Sequence, residues 1–308
     1  MKLTIIGAAG SVGAPAAFFI AASGLVDEIV MIDVRQNALQ QHAMDISTAV
    51  SALGVIVRAG AYEDLPGSAI VINAAGVQQG VIADRMDMLP KNIPLVRDTA
   101  LQISRYCPAA FVITATNPAD PLNYATWLAG GFDRHQLIGY TLNDSLRFRE
   151  MVARAKGVKV NRVEAAVVGE HGTSQVLLFS SVRIDGRPVA FSEREKQDIR
   201  TEVPDILRRY EELQSGRTAG WTCAMGLAAI TRAFLQNTGE IFPCSVVLDG
   251  EYGQRGLSMS VPVVLGEKGI GEILEWDLAP DEEAGLRRSV DVLSSAARVV
   301  EENLPVGS

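Results

Sequence analysis

The first half of the chain repeats one pattern: a short apolar run, a stretch of helical character, then another apolar run. The runs fall at Leu3–Ile6, Glu28–Ile32, Val55–Arg58, Ala69–Ala74, Phe111–Thr114 and Gln136–Ile138. They lack the in–out alternation of a half-exposed strand, as expected of strands covered on both faces. Helical stretches such as Ser11–Ala22 and Arg97–Tyr106 lie between them, which gives βαβ units and hence a parallel sheet. The expected fold is therefore α/β, a Rossmann-type doubly wound parallel sheet. From about Val163 the pattern changes. Strand runs at Val163–Val168, Gln175–Val182 and Ser258–Leu265 carry turn signals between them (Asp185-Gly186, Asp249-Gly250), and long helices are expected at Ser192–Leu213, Thr218–Gln236 and Pro280–Asn303. This second half reads as mixed α+β. We place the division in the 140–160 region, with units 1–142 and 143–308. Pro204 is expected to kink or break the first of those helices, and Pro90 to do the same, with Pro94 beside it, to a helix after the loop at 75–85.

Charge excludes several function classes. Lys and Arg total 28 against 36 Asp and Glu, a net charge of −8, with no basic block. Such a chain is a poor ligand for nucleic acid or an anionic membrane surface. The uncharged stretch Leu3–Val26 is long enough to span a bilayer. Gly7, Gly10, Gly13, Pro15 and Gly24 divide it into a short strand and a small-residue helix, so no membrane segment is expected. The three cysteines, Cys107, Cys223 and Cys244, have neither zinc-ligand spacing nor a disulfide pattern. That points to a reducing compartment, the cytoplasm, and to no metal.

Residues 7–13, Gly-Ala-Ala-Gly-Ser-Val-Gly, follow a strand and open a helix. Backbone amides at such a turn, with the helix N-terminus behind them, can hold a pyrophosphate. The spacing is Gly-x-x-Gly-x-x-Gly, so the loop alone also fits a plain tight turn. Asp33 adds to it. It ends the second strand, where a carboxylate accepts hydrogen bonds from ribose hydroxyls and repels a 2′-phosphate. NAD is expected over NADP, with Arg35 two residues on as a moderating charge.

Polar residues gather in three further segments. His171 lies in Gly169-Glu170-His171-Gly172 after an apolar run, whereas His42 and His135 read as surface residues. Glycine neighbours leave room for substrate at a proton-transfer imidazole; a lone histidine is otherwise more often structural. Asp144 and Arg147 are three apart, so on a helix they share a face. They read either as a solvated ion pair or as an acid that fixes a histidine tautomer beside a guanidinium that grips a carboxylate. Ala75-Gly76 opens a loop running to Arg85, and Asn117-Pro118 follows the fifth strand. Both leave the C-terminal sheet edge, where ligands bind in open parallel sheets.

Together these segments resemble the malate/lactate dehydrogenase family over nearly the whole chain. The matching landmarks are the glycine loop, Asp33, Ala75-Gly76, Arg85, Thr116-Asn117-Pro118, Asp144-x-x-Arg147-Phe148-Arg149 and Gly169-Glu170-His171-Gly172. The resemblance implies reversible hydride transfer between NAD(H) and a small L-2-hydroxy or 2-oxo acid. It makes residues 1–142 the NAD-binding domain and 143–308 the catalytic domain. His171 would be the acid/base, with Asp144 holding its ring. Arg147 would bind the substrate carboxylate, Arg85 would polarise the carbonyl, and Gln79 and Asn117 would contact substrate. Gly7, Gly10, Ser11, Val12, Gly13, Asp33, Ala75, Gly76, Asn92, Thr116 and Asn117 would lie along the cofactor. It also implies a homodimer or homotetramer.

Departures from the family bear on the substrate. Gly80-Val81-Ile82 replaces the usual basic-Pro-Gly stretch. Gln79 stands where an arginine would suit a second carboxylate, so charge logic disfavours a dicarboxylate. Arg217 near Thr218-Ala219-Gly220 argues the other way, and Val81 and Ile82 suit a bulkier acid. Thr173 replaces a common aspartate, and Pro90 and Pro94 bear on where Asn92 lies. The alternative is a dinucleotide-binding sensor without turnover; the complete set His171, Asp144, Arg147 and Arg85 speaks against it. No Tyr-x-x-x-Lys occurs, which disfavours a short-chain reductase.

Overall fold

The computed structural model describes residues 1–77, 85–213 and 218–304, with backbone alone at 85, 204, 205, 207, 210 and 211. The first half holds strands β1 (Lys2–Ile6), β2 (Glu28–Ile32), β3 (Ile56–Ala59), β4 (Ser68–Asn73), β5 (Phe111–Thr114) and β6 (Leu137–Gly139). Between them run helices α1 (Gly13–Ala22), α2 (Gln36–Ala49), α3 (Leu89–Tyr106) and α4 (Ala119–Gly130). The second half continues with α5 (Leu142–Lys156), β7 (Val163–Glu164), β8 (Val167–Val168), β9 (Val176–Leu177), β10 (Arg183–Ile184) and β11 (Arg187–Pro188). It ends with α6 (Glu193–Glu212), α7 (Gly220–Leu235), β12 (Ile241–Asp249), β13 (Arg255–Gly266), β14 (Gly269–Ile273) and α8 (Pro280–Asn303).

One sheet runs through both halves in the order β14-β13-β12-β6-β5-β4-β1-β2-β3. From β3 to β6 its strands are parallel. The winding reverses between β1 and β4, which opens a crevice at their C-terminal ends. β12 joins β6 antiparallel through Ser245 opposite Gly139, and β13 and β14 extend that edge. A side chain at position 139 would put its Cβ 2.8 Å from the Cβ of Ser245, so glycine permits the junction. Alternate residues of the central strands face separate cores. Leu3, Ile5, Ile29, Met31, Ile70 and Ile72 pack on one side; Ile6, Val30, Ile32, Val71 and Val112 pack on the other. This double burial accounts for the unalternated apolar runs.

Three prolines behave differently from expectation. α3 begins at Leu89, so Pro90 sits in its first turn, where the missing N–H would have had no helical partner anyway. Pro94 lies inside α3, yet the helix continues to Tyr106 because Ile93, Val96, Ala100 and Ile103 bury its apolar face. α6 likewise runs unbroken through Pro204, anchored by buried Ile199 and Val203. Each interior proline forfeits one backbone bond, about 3 kcal/mol, and packing of the rest of the helix offsets that. The run Val163–Val168 splits into β7 and β8, which belong to different small sheets. Of Gln175–Val182 only β9 is strand; Phe179–Ser181 is a 3-10 turn. β12 and β14 were not expected.

Candidate active site

The β1–α1 turn carries Gly7, Gly10, Ser11, Val12 and Gly13 into the crevice between β1 and β4. Gly7 has φ +79°, and a Cβ there would lie 2.5 Å from Ala75 N, so only glycine lets the two strand ends approach. The first turn of α1 carries no acidic residue, which leaves its N-terminus suited to an anion. Asp33, one residue past β2, turns toward this loop. Its Oδ2 accepts the Ala9 N–H at 2.9 Å and its Oδ1 the Arg35 N–H at 2.9 Å. Burial alone would raise the Asp33 carboxyl; the Arg35 and Ala9 N–H groups and the Arg35 side chain outweigh it and hold the acid below its ordinary range. A glycine turn without Cβ obstruction, a helix start without acids and a charged carboxylate beside them fit NAD.

The opposite wall is built from the ends of β4 and β5. Thr116 Oγ1 donates to Ala75 O at 2.6 Å. Asn92, 2% exposed in α3, is a strut: its Oδ1 accepts the Val77 N–H at 2.9 Å and its Nδ2 donates to Asn117 O at 2.8 Å. The amide expected beside the cofactor is thus committed to holding the segments that carry Gly76 and Asn117, and the helix that seats it starts before the prolines rather than ending at them. Asn117 itself is exposed and precedes a cis peptide to Pro118.

His171 is reached from the other half. Gly169, at φ +84°, pairs with Ser260 of β13 through both backbone bonds. The Glu170 N–H donates to Ser289 Oγ of α8 at 3.2 Å, and the His171 N–H donates to Asp120 Oδ2 of α4 at 2.6 Å. Glu170 in turn accepts the Ser174 N–H at 2.8 Å. The loop is therefore held from β13, α8 and α4 at three successive residues. Its imidazole Nδ1 lies 2.5 Å from Asp144 Oδ2, and Asp144 Oδ1 accepts from Arg147 Nη1 at 3.2 Å. All three side chains are nearly fully buried. Asp144 and Arg147 share a face of α5, as their spacing required, and the pair is buried rather than solvated.

Arg85 opens a 3-10 turn, Arg85–Met88, and its side chain is outside the described residues. Gln79, the segment Gly80-Val81-Ile82 and Arg217 also lie outside them. Ala219 caps α7, whose Gly220 packs so closely on Ser11 O that a Cβ would not fit. Thr173 is exposed. Sequence reasoning missed Asp120, Ser260 and Ser289. Asp120 carried the one available signal, an acid in the first turn of a mostly apolar helix.

Residues 1–139 match the profile described as lactate/malate dehydrogenase, NAD binding domain, and residues 141–303 match the alpha/beta C-terminal domain of the same enzymes. The chain is 38% identical to the malate dehydrogenase of Natronomonas pharaonis, over 90% of this chain and 92% of that protein. It is 32% identical to L-lactate dehydrogenase 2 of Lactococcus lactis, over 95% and 96%. The malate dehydrogenase of Cryptosporidium parvum superposes with a TM-score of 0.92 at 30% identity, covering 98% of this chain and 99% of that one. The lactate dehydrogenase of the same organism, complexed with lactic acid and nicotinamide adenine dinucleotide, gives 0.92 at 28%, covering 99% and 98%. With both halves matched and the His171–Asp144 pair buried where the two halves meet, the chain belongs to the lactate/malate dehydrogenase family and is an NAD-dependent oxidoreductase.

Proposed function

We propose that this enzyme interconverts a small L-2-hydroxy acid of the malate or lactate class and its 2-oxo acid, with His171 taking and returning the substrate proton. The observation that carries the reading is the buried chain Arg147–Asp144–His171. A carboxylate only accepts, so Nδ1 carries the ring hydrogen facing Asp144, and Nε2 is the nitrogen that exchanges a proton with substrate. In oxidation His171 takes the hydroxyl proton, and Asp144 stabilises the imidazolium that results. In reduction the imidazolium donates to the carbonyl oxygen as negative charge develops there. Arg147 spends one N–H on Asp144, and its planar fork retains donors for the substrate carboxylate. Arg85, by the family pattern, polarises the carbonyl; one well-placed donor is worth roughly 3–4 kcal/mol.

NAD, when bound, supplies the hydride acceptor and donor. The glycine turn with Ser11 and Val12 cradles its pyrophosphate, Asp33 binds the ribose, and Ala75, Gly76, Thr116 and Asn117 line the way to the substrate; Asn92 positions Gly76 and Asn117. In this reading residues 1–142 hold the dinucleotide and 143–308 supply the proton-transfer group, with Arg85 and Asn117 of the first unit also acting on the substrate. Gln79 reads the far end of the substrate and Ala219 leaves room beside it.

We further propose a homo-oligomer, dimer or tetramer. Trp221 and Met225, four apart on α7, are 62% and 55% exposed, and α7 packs on α1, which exposes Phe18. Large apolar side chains at helical spacing suit a second copy. Among the described residues no helix is long and apolar enough to cross a membrane; three scattered cysteines in no disulfide support a cytoplasmic setting.

The test follows NADH absorbance with oxaloacetate, pyruvate and a branched 2-oxo acid in parallel. Turnover with at least one is expected, and inactivity with all three sinks the proposal. His171→Asn is expected to lower kcat at least a hundredfold while NADH binds normally. Undiminished turnover in that variant removes the proton-transfer role.

A further inference from the structure

We propose that Asp120 is a positioning residue for His171: its carboxylate fixes the histidine's backbone and sets a second negative charge against the imidazolium formed in turnover. This rests on the reading of His171 as the acid/base.

Asp120 is 1% exposed in the first turn of α4. Its Oδ2 accepts the His171 N–H at 2.6 Å, and its Oδ1 is buried with no well-formed hydrogen bond among the described residues. A backbone N–H needs no charged acceptor. The neighbouring Glu170 N–H is met by the neutral Ser289 hydroxyl. A buried carboxylate whose second oxygen has only the poorly aligned Ser245 hydroxyl is a costly way to tether a loop. What the charge adds, and a neutral acceptor cannot, is a field at the imidazole.

His171, from the 169–174 loop, attracts the Asp120 charge, and Glu170, from the same loop, repels it. The Ser245 hydroxyl of β12 favours the charged form. Asp144 and Arg147 of α5 lie beyond the imidazole and pair with each other. Further along α4, Glu301 of α8 accepts the Tyr124 hydroxyl at 2.8 Å. The N-terminal end of α4 itself favours an anion. Burial pushes the Asp120 carboxyl up to about 6, against Ser245 and the N–H and charge of His171. It is therefore charged at neutral pH and lies close to its own titration. The imidazolium then has two carboxylates, one on its ring and one behind its backbone. Removing the Asp120 charge takes away one of the two carboxylates that face the protonated ring from which reduction starts.

The experiment compares the full-length enzyme with Asp120→Asn, which keeps an acceptor for the His171 N–H and removes the charge. The kcat and KM for 2-oxo acid reduction are measured from pH 5 to 9, with NADH affinity by fluorescence. The upper pH limit of reduction is expected to fall by about one unit, a roughly tenfold loss at pH 8 that shrinks toward pH 6, with NADH affinity unchanged. In the oxidative direction activity extends to lower pH. A profile parallel to that of the parent enzyme, whatever its height, overturns the proposal and leaves a plain tether. Ser245→Ala, which leaves Asp120 in place, should shift the limit the same way by less. If Asp120→Asn does not fold, an unmoved limit in Ser245→Ala overturns the proposal. His171→Asn separates the layers: if it retains turnover, the acid/base reading fails; if it abolishes turnover while Asp120→Asn keeps the parent profile, only the role of Asp120 fails.

Discussion

Asp33 and Asp120 are carboxylates tuned in opposite directions. At Asp33, backbone N–H groups overcome burial and keep the acid charged; at Asp120, burial wins and lifts it to about 6. The stability consequence follows the sign. The ordinary value for this side chain is 3.8, so the folded state holds the Asp120 proton more tightly than the unfolded chain does. That contribution is complete below 3.8 and is lost as pH rises through 6. Asp120→Asn has no such dependence. Its stability relative to the parent enzyme is therefore expected to improve between pH 4 and pH 7, by up to about 3 kcal/mol. Denaturant midpoints at the two pH values test this, and a constant difference contradicts it. Asp33 was legible in the sequence because its meaning is local: an acid at a strand end, a fixed distance after a glycine turn. Asp120 was not, because its partner His171 comes from the other half of the chain and only folding joins them.

Among the elements, α8 does more than its amphipathic pattern announces. Glu282 is buried in its first turn, where it accepts the Ser180 N–H at 2.9 Å, the Ser180 hydroxyl and the Ala279 N–H at 3.0 Å. Two turns further on, Ser289 accepts the Glu170 N–H of the 169–174 loop. Glu282→Ala leaves two backbone donors unmet and is expected to destabilise the protein by about 2–4 kcal/mol, read as a lower denaturant midpoint with NADH affinity retained. A midpoint unchanged within error counts against the cap. The bounds of α8 could be read from Pro280 and the apolar period, but its tie to Ser180 could not, since nothing local marks it. The prolines erred the other way. Pro90 and Pro94 are loud local signals; Pro90 falls in the first turn of α3, where proline fits, and the buried stripe of the helix overrode Pro94. β12, with Pro243 inside it, is a strand that its neighbours β13 and β6 hold in place.

At the scale of the whole molecule, the doubly wound sheet was plain from six apolar runs, and the additional edge of β12, β13 and β14 was largely not. The exposed face of α7 is the proposed contact with a second copy. Trp221→Glu is expected to convert the oligomer to a smaller species in light scattering at equal concentration. An unchanged mass would move the contact elsewhere. The junction of β6 with β12 has a further consequence. During synthesis β6 is made long before Ile241–Asp249 emerges, so the nascent Rossmann half presents a bare strand margin that invites self-association. A fragment stopping at residue 139 should therefore clump when expressed alone, whereas supplying the remainder in trans would restore a capped, dispersed particle.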